Sequence, residues 1–300
     1  MIDFREVTLD QKAMVDSYFR KSGNIGSEYT FSNTYIWRRK NNTRIAEHDG
    51  FLYVRYNLKG QCYFLLPVAK YDGADLRGAI DNLIEHTWNC DCNLAITGIS
   101  GERRPALEQL MPGVFEFKQR PDWYDYIYSS EDLINLRGSN YQPKRNHINK
   151  FELLNGRDTF EVLSSANIEE CLETYSVWAA AHEFDDIESE KFAVTEALTN
   201  FVELGLKGGV SRVKGKVCAF TIGSELNDDV FVTHIEKGLS DCPGVYAAIN
   251  RDFARNCLSS YKYINREEDL GVEGLRKAKR SYYPVIHLEK CLAIYKESVL

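Results

Sequence analysis

The chain has 300 residues, 44% of them apolar, and a formal net charge of -7. That length exceeds the usual size of one core, and the acidic balance excludes wholesale coating of nucleic acid, which needs an excess of Lys and Arg to replace counterions on phosphates. The N-terminus MIDFREVTLDQK has no basic-then-apolar leader and no apolar run reaches a membrane span, so a cytoplasmic protein with no transmembrane segment and reduced cysteines is expected. Cys90 and Cys92 are separated by one residue, which is not a zinc-knuckle spacing, and no metal is expected.

In chain order the first half reads as a helix from Asp10 to Lys21, an aromatic-rich segment from Tyr29 to Arg39, and strands near Ile45, Phe51 to Tyr56 and Gln61 to Pro67. A helix from Ala74 to Thr87 follows, with Leu76, Ile80, Leu83 and Ile84 on one face, then strand LAITGIS, a helix from Glu102 to Leu110 and strand VFEFK. The connecting stretch holds the strand DWYDYIYS, the short helix EDLINLRG and a basic helix from Pro143 to Leu154. The second half reads as helices Ile168 to His182 and Glu190 to Leu206, strands Val210 to Val213, Lys216 to Thr221 and Val230 to Ile235, and helix Val245 to Cys257. Strand YKYIN, helix Glu273 to Arg280 and strand HLEKCLAIY complete it. The order meander, helix, strand, helix, strand thus occurs twice, which predicts an α/β (α+β) protein of two related modules: residues 1–120, a connector at 121–155, and 156–300.

Three places carry chemistry. Between Tyr261 and Pro284 a strand runs into Asn265, Arg266, Glu267 and Glu268, and strand ends are where α/β folds place ligands. Arg276 and Lys279 follow at helical spacing, able to grip a phosphate or to serve as surface charge near a helix end. Upstream, His234, Glu236 and Lys237 end an apolar strand before a turn with Gly244 and a helix start, whose free N–H groups suit a pyrophosphate. Glu236 and Glu267 are candidate bases for an attacking amine, with structural ion pairing to Lys237 or Arg266 the competing role. Third, Lys144, His147 and Lys150, with Arg145 beside them, form a basic strip that suits a nucleotide or RNA backbone, or simply solvent. Cys62, Cys171, Cys218, Cys242, Cys257 and Cys291 sit among apolar neighbours and read as buried.

The segments GSEYTFSNTYIWR (Gly26 to Arg38), DYIYSSEDLINLRGSNYQPKRNHINKF (Asp125 to Phe151), HIEKG and YINREEDLGVEGLRKAKRSYYP resemble the bacterial family allied with the C-terminal domain of phosphatidylglycerol lysyltransferases. The resemblance implies two GNAT-like acyltransferase modules in tandem, an architecture shared with transferases that pass an amino acid from aminoacyl-tRNA to a lipid or a peptidoglycan precursor. The function expected is acyl or aminoacyl transfer to an amine or hydroxyl of a small-molecule, peptide or lipid-headgroup acceptor, with the site in the second module. Lys144, Arg145, Lys237, Gly244, Asn265, Arg266, Arg276 and Lys279 would hold the donor, and Glu236 or Glu267 would move the proton. The alternatives are acyl-CoA-dependent N-acetyl transfer and noncatalytic ligand binding on the same fold; no further cofactor is implied.

Overall fold

The computed structural model describes residues 1–58, 60–90, 92–182 and 186–296. In chain order come β1 (Arg5–Glu6), α1 (Lys12–Lys21), α2 (Phe31–Ile36), β2 (Arg44–His48), β3 (Phe51–Leu58), β4 (Gln61–Leu65), β5 (Val68–Ala69), α3 (Leu76–Asn89), β6 (Ala95–Ser100), α4 (Arg104–Leu110) and β7 (Phe115–Gln119). These are followed by β8 (Asp125–Ser129), α5 (Ser130–Asn135), α6 (Gln142–Asn155), β9 (Phe160–Val162), α7 (Ile168–Ala180) and α8 (Ile187–Thr199). The last are β10 (Lys207–Val213), β11 (Lys216–Glu225), β12 (Val230–Gly238), α9 (Val245–Cys257), β13 (Tyr263–Asn265), α10 (Glu273–Arg280), β14 (Ile286–Leu288) and β15 (Lys290–Tyr295).

Local chemistry explains the boundaries. Asp75 caps α3 by accepting the Gly78 N–H at 3.0 Å, and Ile80, Leu83 and Ile84 on its inner face are buried. Thr30 likewise caps α2 through the Asn33 N–H at 3.2 Å, which places a short helix inside the aromatic segment. Helix α8 begins earlier than its apolar pattern, at Ile187, because Glu188 and Glu190 in the first turn suit the positive helix end. It stops at Thr199.

Two sheets form, with strand orders β1-β2-β3-β4-β6-β15-β7 (β5 beside β3) and β14-β8-β13-β12-β11-β10-β9. Each contains an antiparallel meander, β2-β3-β4 or β10-β11-β12, then a helical crossover, α3 or α9, to a parallel neighbour, β6 beside β4 and β13 beside β12. The residues divide into two compact units. The first is Met1–Asp125 with Glu268–Leu275 and the described residues from His287 on; the second is Tyr126–Glu267 with Arg276–Ile286. The sequence pattern divides the chain into the uninterrupted runs 1–120, 121–155 and 156–300, whereas both compact units are discontinuous in sequence. In the structure the segment HLEKCLAIY, read as one strand, breaks at Glu289, and β15 runs between β6 and β7. Reciprocally, β8 follows β7 in the chain but lies between β13 and β14.

The first core gathers Phe51, Phe64, Ile80, Leu83, Ile96 and Ile99; the second gathers Tyr126, Tyr128, Leu133, Phe231, Phe253 and Ile264. Cys171, Cys218 and Cys291 are buried, whereas Cys62, Cys242 and Cys257 are half-buried; all eight cysteines are free thiols. Among the described residues no helix is long and apolar enough to cross a membrane.

A buried ion cluster fixes β15. The Lys290 side chain, 8% exposed, reaches Asp125 at 2.8 Å and Glu28 at 2.5 Å, and Asp125, wholly buried, also accepts the Ser27 N–H at 2.8 Å. Burial alone would lower the Lys290 pKa, but the Asp125 and Glu28 carboxylates hold it above its ordinary value. Removing one partner of such a pair strands a buried charge, so Lys290→Met is expected to cost about 3–5 kcal/mol in chemical denaturation. A loss below about 1 kcal/mol would contradict this account of the last strand.

Candidate functional site

Strands β12 and β13 run parallel, with Phe231 opposite Ile264 and Val232 opposite Asn265. Beyond that register β12 bulges: Ile222 faces Ile235 and Gly223 faces Thr233, leaving His234 as the extra residue. Gly223 is required there, because a Cβ would lie 2.1 Å from the Val232 carbonyl oxygen. The bulge turns His234 onto two partners, Ser224 Oγ at 2.8 Å from Nε2 and Glu267 Oε1 at 2.8 Å from Nδ1. A carboxylate only accepts, so Nδ1 carries the proton, and in the neutral ring Nε2 accepts the Ser224 hydroxyl. The His234 side chain is 1% exposed and that of Glu267 14%, so the Ser–His–Glu chain braces the strand end from inside and leaves the carboxylate at its outer end. Asn265, buried, accepts the Glu267 N–H at 2.7 Å and supports Glu267 in the left-handed region at φ +58°.

Past the bulge the strand ends bring Glu236 and Arg266 together. Their side chains are 12% and 13% exposed and meet at 2.8 Å through Arg266 Nη2. The guanidinium lies 5.0 Å from the Tyr282 ring centre and 5.8 Å from that of Tyr128. Its other terminal nitrogen, Nη1, is buried with no hydrogen-bond partner among the described residues, as is Oδ1 of Asn250 on α9, whose Nδ2 donates to Glu236 at 3.4 Å. Lys144 on α6 places Nζ 3.8 Å from the Tyr282 ring centre. Burial and then the Arg266 charge push the Lys144 pKa down to about 8, with Glu236 opposing. The cluster therefore holds two cations against one carboxylate, with one guanidinium donor unspent. Such an arrangement can bind an anion or steady a developing oxyanion.

The remaining residues singled out from sequence separate around this centre. Lys279 donates to the Arg266 carbonyl at 2.5 Å and so supports the strand end, while Arg276 is half-buried one helical turn earlier on α10. Glu267 is engaged by His234 and does not pair with Glu236. Lys237 points elsewhere, to Glu190 at 2.7 Å and 3.7 Å above the Trp178 ring; Trp178 in turn donates to the Tyr246 hydroxyl at 3.1 Å. Arg145 spends its guanidinium on the carbonyls of Leu136 and Gly138, closing the end of α5. The basic strip splits, Lys144 turning inward while His147 and Lys150 stay exposed. Gly244 precedes α9 at φ +91°, and a Cβ there would lie 2.2 Å from the His147 carbonyl oxygen, so α6 closely approaches this residue while its neighbours Asp241, Pro243 and Tyr246 stay exposed. Tyr128, Tyr282 and Asn250 were not anticipated, since nothing in local sequence ties them to Arg266.

The chain matches the family described as phosphatidylglycerol lysyltransferase, C-terminal, over residues 19–294 and belongs to that family. A conserved protein of unknown function from Bacteroides thetaiotaomicron is 37% identical, with 99% of this chain and 100% of that one covered and a TM-score of 0.93. L-PGS from Bacillus licheniformis is 15% identical, covering 92% and 94% of the two chains at a TM-score of 0.62. A tandem GNAT protein from the clavulanic acid biosynthesis pathway is 8% identical, covering 99% and 100% at a TM-score of 0.51. An uncharacterised protein of Mycoplasmoides gallisepticum is 21% identical over 172 residues, 56% of this chain and 55% of that protein, so the match spans about half its length. The fold is a tandem pair of GNAT-like modules, as the resemblance implied.

The charges around Lys144 make a signed prediction. In Arg266→Gln the Lys144 pKa rises from about 8 toward that of a free lysine, and in Glu236→Gln it falls further. NMR titration of ¹³C-dimethylated lysine, assigned by Lys144→Arg, measures both shifts; movement in the same direction would contradict the cluster's electrostatics.

Proposed function

We propose that the protein is an aminoacyl transferase that moves an aminoacyl group from aminoacyl-tRNA, or a related activated ester, onto an amine or hydroxyl of a small-molecule, peptide or lipid-headgroup acceptor. Membership of the lysyltransferase C-terminal family supports the reaction class. The observation that carries the site is Arg266 Nη1, buried without a hydrogen-bond partner among the described residues and held in place by Glu236 at Nη2 of the same guanidinium.

The chemistry follows from those groups. The acceptor's nitrogen or oxygen attacks the ester carbonyl carbon, forming the new C–N or C–O bond while the carbonyl oxygen becomes an oxyanion. Arg266 Nη1–H stabilises that oxyanion, an effect worth roughly 10²–10³ in rate for one donor. Lys144, neutral above about pH 8, collects the proton lost by the acceptor and returns it to the departing ribose oxygen as the old ester bond breaks. Glu236 orients Arg266, and the Glu267–His234–Ser224 brace keeps the strand end in position, so the proposal gives proton transfer to Lys144 rather than to the carboxylates expected from sequence. Exposed Lys150 supplies local positive charge on α6 for the donor's phosphates despite the acidic net charge, with exposed His147 beside it as a hydrogen-bonding group.

Transfer of labelled lysine from charged tRNA to phosphatidylglycerol, amino-terminal peptides and free amines tests the reading. Arg266→Gln is expected to lower kcat by roughly 10²–10³ with a smaller change in KM. The rate should rise with pH through about 8 as Lys144 loses its proton, and Lys144→Met should abolish that limb. Absence of transfer to every acceptor, together with absence of salt-sensitive tRNA binding, would overturn the proposal.

A further inference from the structure

The first unit contains an open cavity of about 500 Å³ whose lining includes Phe4, Asn42, Arg44, Arg55, His86 and Asp3. None of these residues takes part in the transfer site proposed above. Arg44 on β2 and Arg55 on β3 are directly opposed in the antiparallel register, and like charges at such positions repel. On the far side of Arg44 the register places Glu6, which pairs with it at 3.3 Å. Among the described residues Arg55 meets no carboxylate; its guanidinium lies 5.3 Å from the Phe4 ring centre. Asp3 is bound by Arg5 at 2.8 Å. The cavity therefore holds a cation pair with one anion too few.

A second observation at the same place is independent of charge. His86 lines the cavity, is 4% exposed, and its Nδ1 has no hydrogen-bond partner among the described residues, while Nε2 lies 3.7 Å from Cys90 Sγ. Burial, and then the Arg55 charge, keep the imidazole pKa below its ordinary value. A neutral ring leaves Nδ1 either one acceptor or one donor short, depending on the direction of the contact with Cys90. Buried polar atoms without partners cost free energy, which a ligand returns.

We infer that this cavity is an anion-binding site of the first unit that takes the phosphate of a phosphate ester, with Arg55 as its principal donor, Arg44 as its second cation and His86 Nδ1 completing the set. A tetrahedral phosphate presents oxygens in several directions and can meet two guanidinium forks and an imidazole at once, and a hydrogen phosphate can both accept and donate. The Phe4 and Ile2 side chains on the lining give the ester's carbon portion an apolar surface.

The test uses the full chain carrying Arg266→Gln, so that the second unit's cluster does not contribute, with inorganic phosphate, glycerol phosphate and malonate as soluble probes followed by calorimetry. Phosphatidylglycerol and phosphatidylcholine vesicles form the lipid arm, read by co-sedimentation. Saturable binding of glycerol phosphate, or retention on phosphatidylglycerol vesicles alone, supports the site and assigns its source as a free ester or a headgroup respectively. Arg55→Gln should weaken that binding at least about tenfold, and Arg55→Lys, which keeps the charge without the fork, should weaken it less. The His86 ring ¹⁵N shifts should move on titration, a readout that general loss of stability does not mimic. No saturable binding to any phosphate, malonate binding as tightly as glycerol phosphate, or binding unchanged in Arg55→Gln would each overturn the inference.

Discussion

A lysine closed off from water between two carboxylates fixes the path of this chain. Lys290 begins β15 and contacts Asp125, the residue at which the chain leaves the first unit, and Glu28, which follows the Ser27 backbone held by the same aspartate. Three stretches far apart in sequence thereby share one cluster of a lysine and two carboxylates, in which burial raises the Glu28 pKa. Such a cluster is a poor source of stability against well-packed apolar residues, but it is strongly selective, because any arrangement that separates its members leaves a buried charge unpaired. That selectivity is what a duplicated fold needs. Two modules with the same order of elements could each close with their own final strand; here β15 completes the first sheet and β8 the second.

The second unit depends on a different constraint, the bulge at His234. With regular pairing, the alternation of β12 would put His234 and Glu236 on one face. The extra residue reassigns those directions, sending His234 into the Ser224–Glu267 brace and leaving Glu236 to meet Arg266. An Arg–Glu pair at 13% and 12% exposure, with one guanidinium nitrogen unpaired, is costly: an unsatisfied buried donor alone takes about 1–3 kcal/mol. The stacking of Arg266 and Lys144 near Tyr282 offsets part of that by cation–π attraction. The remainder is a cost that the proposed ligand would return on binding.

Elements with strong local signals were legible in the sequence. Helices α9 and α10 begin and end where their patterns place them, Val245–Cys257 and Glu273–Arg280, and the strand–helix–strand crossover follows from their order. The strand break at Glu289 was not legible, since nothing in HLEKCLAIY marks that Lys290 is claimed by Asp125 and Glu28. The same holds at the site. Glu236 and Glu267 are equivalent carboxylates near strand ends when read locally, and only the register shift opposite Gly223 sends one to an arginine and the other to a histidine. Lys144 and Arg145 are neighbours in one basic run, yet the helical rotation between them sends one over Tyr282 and the other to the carbonyls of Leu136 and Gly138. Residue type was readable; direction was set by tertiary partners.

The duplication also explains why the two units differ chemically. The place in the first unit equivalent to the Glu236–Arg266 meeting point lies beyond the parallel pairing of β4 with β6, where Leu65 faces Thr97. There β4 continues into Leu66, Pro67 and Val68, with no ionisable group, and Gly98 follows Thr97. The space is filled: a Cβ on Gly98, which sits at φ +70°, would lie 2.5 Å from the Leu65 side chain and 2.8 Å from the Tyr29 hydroxyl, and that hydroxyl donates to the Gly98 carbonyl at 2.8 Å. Tyr29 belongs to the Gly26 to Arg38 segment, so part of the sequence that resembles a transferase family serves to plug the first unit's crossover. A phenol held there, its pKa raised by burial and then by the Glu28 carboxylate, keeps its proton at neutral pH. The same architecture thus yields a crossover closed by Leu65 and Tyr29 in one unit and one that carries the Glu236–Arg266 pair in the other.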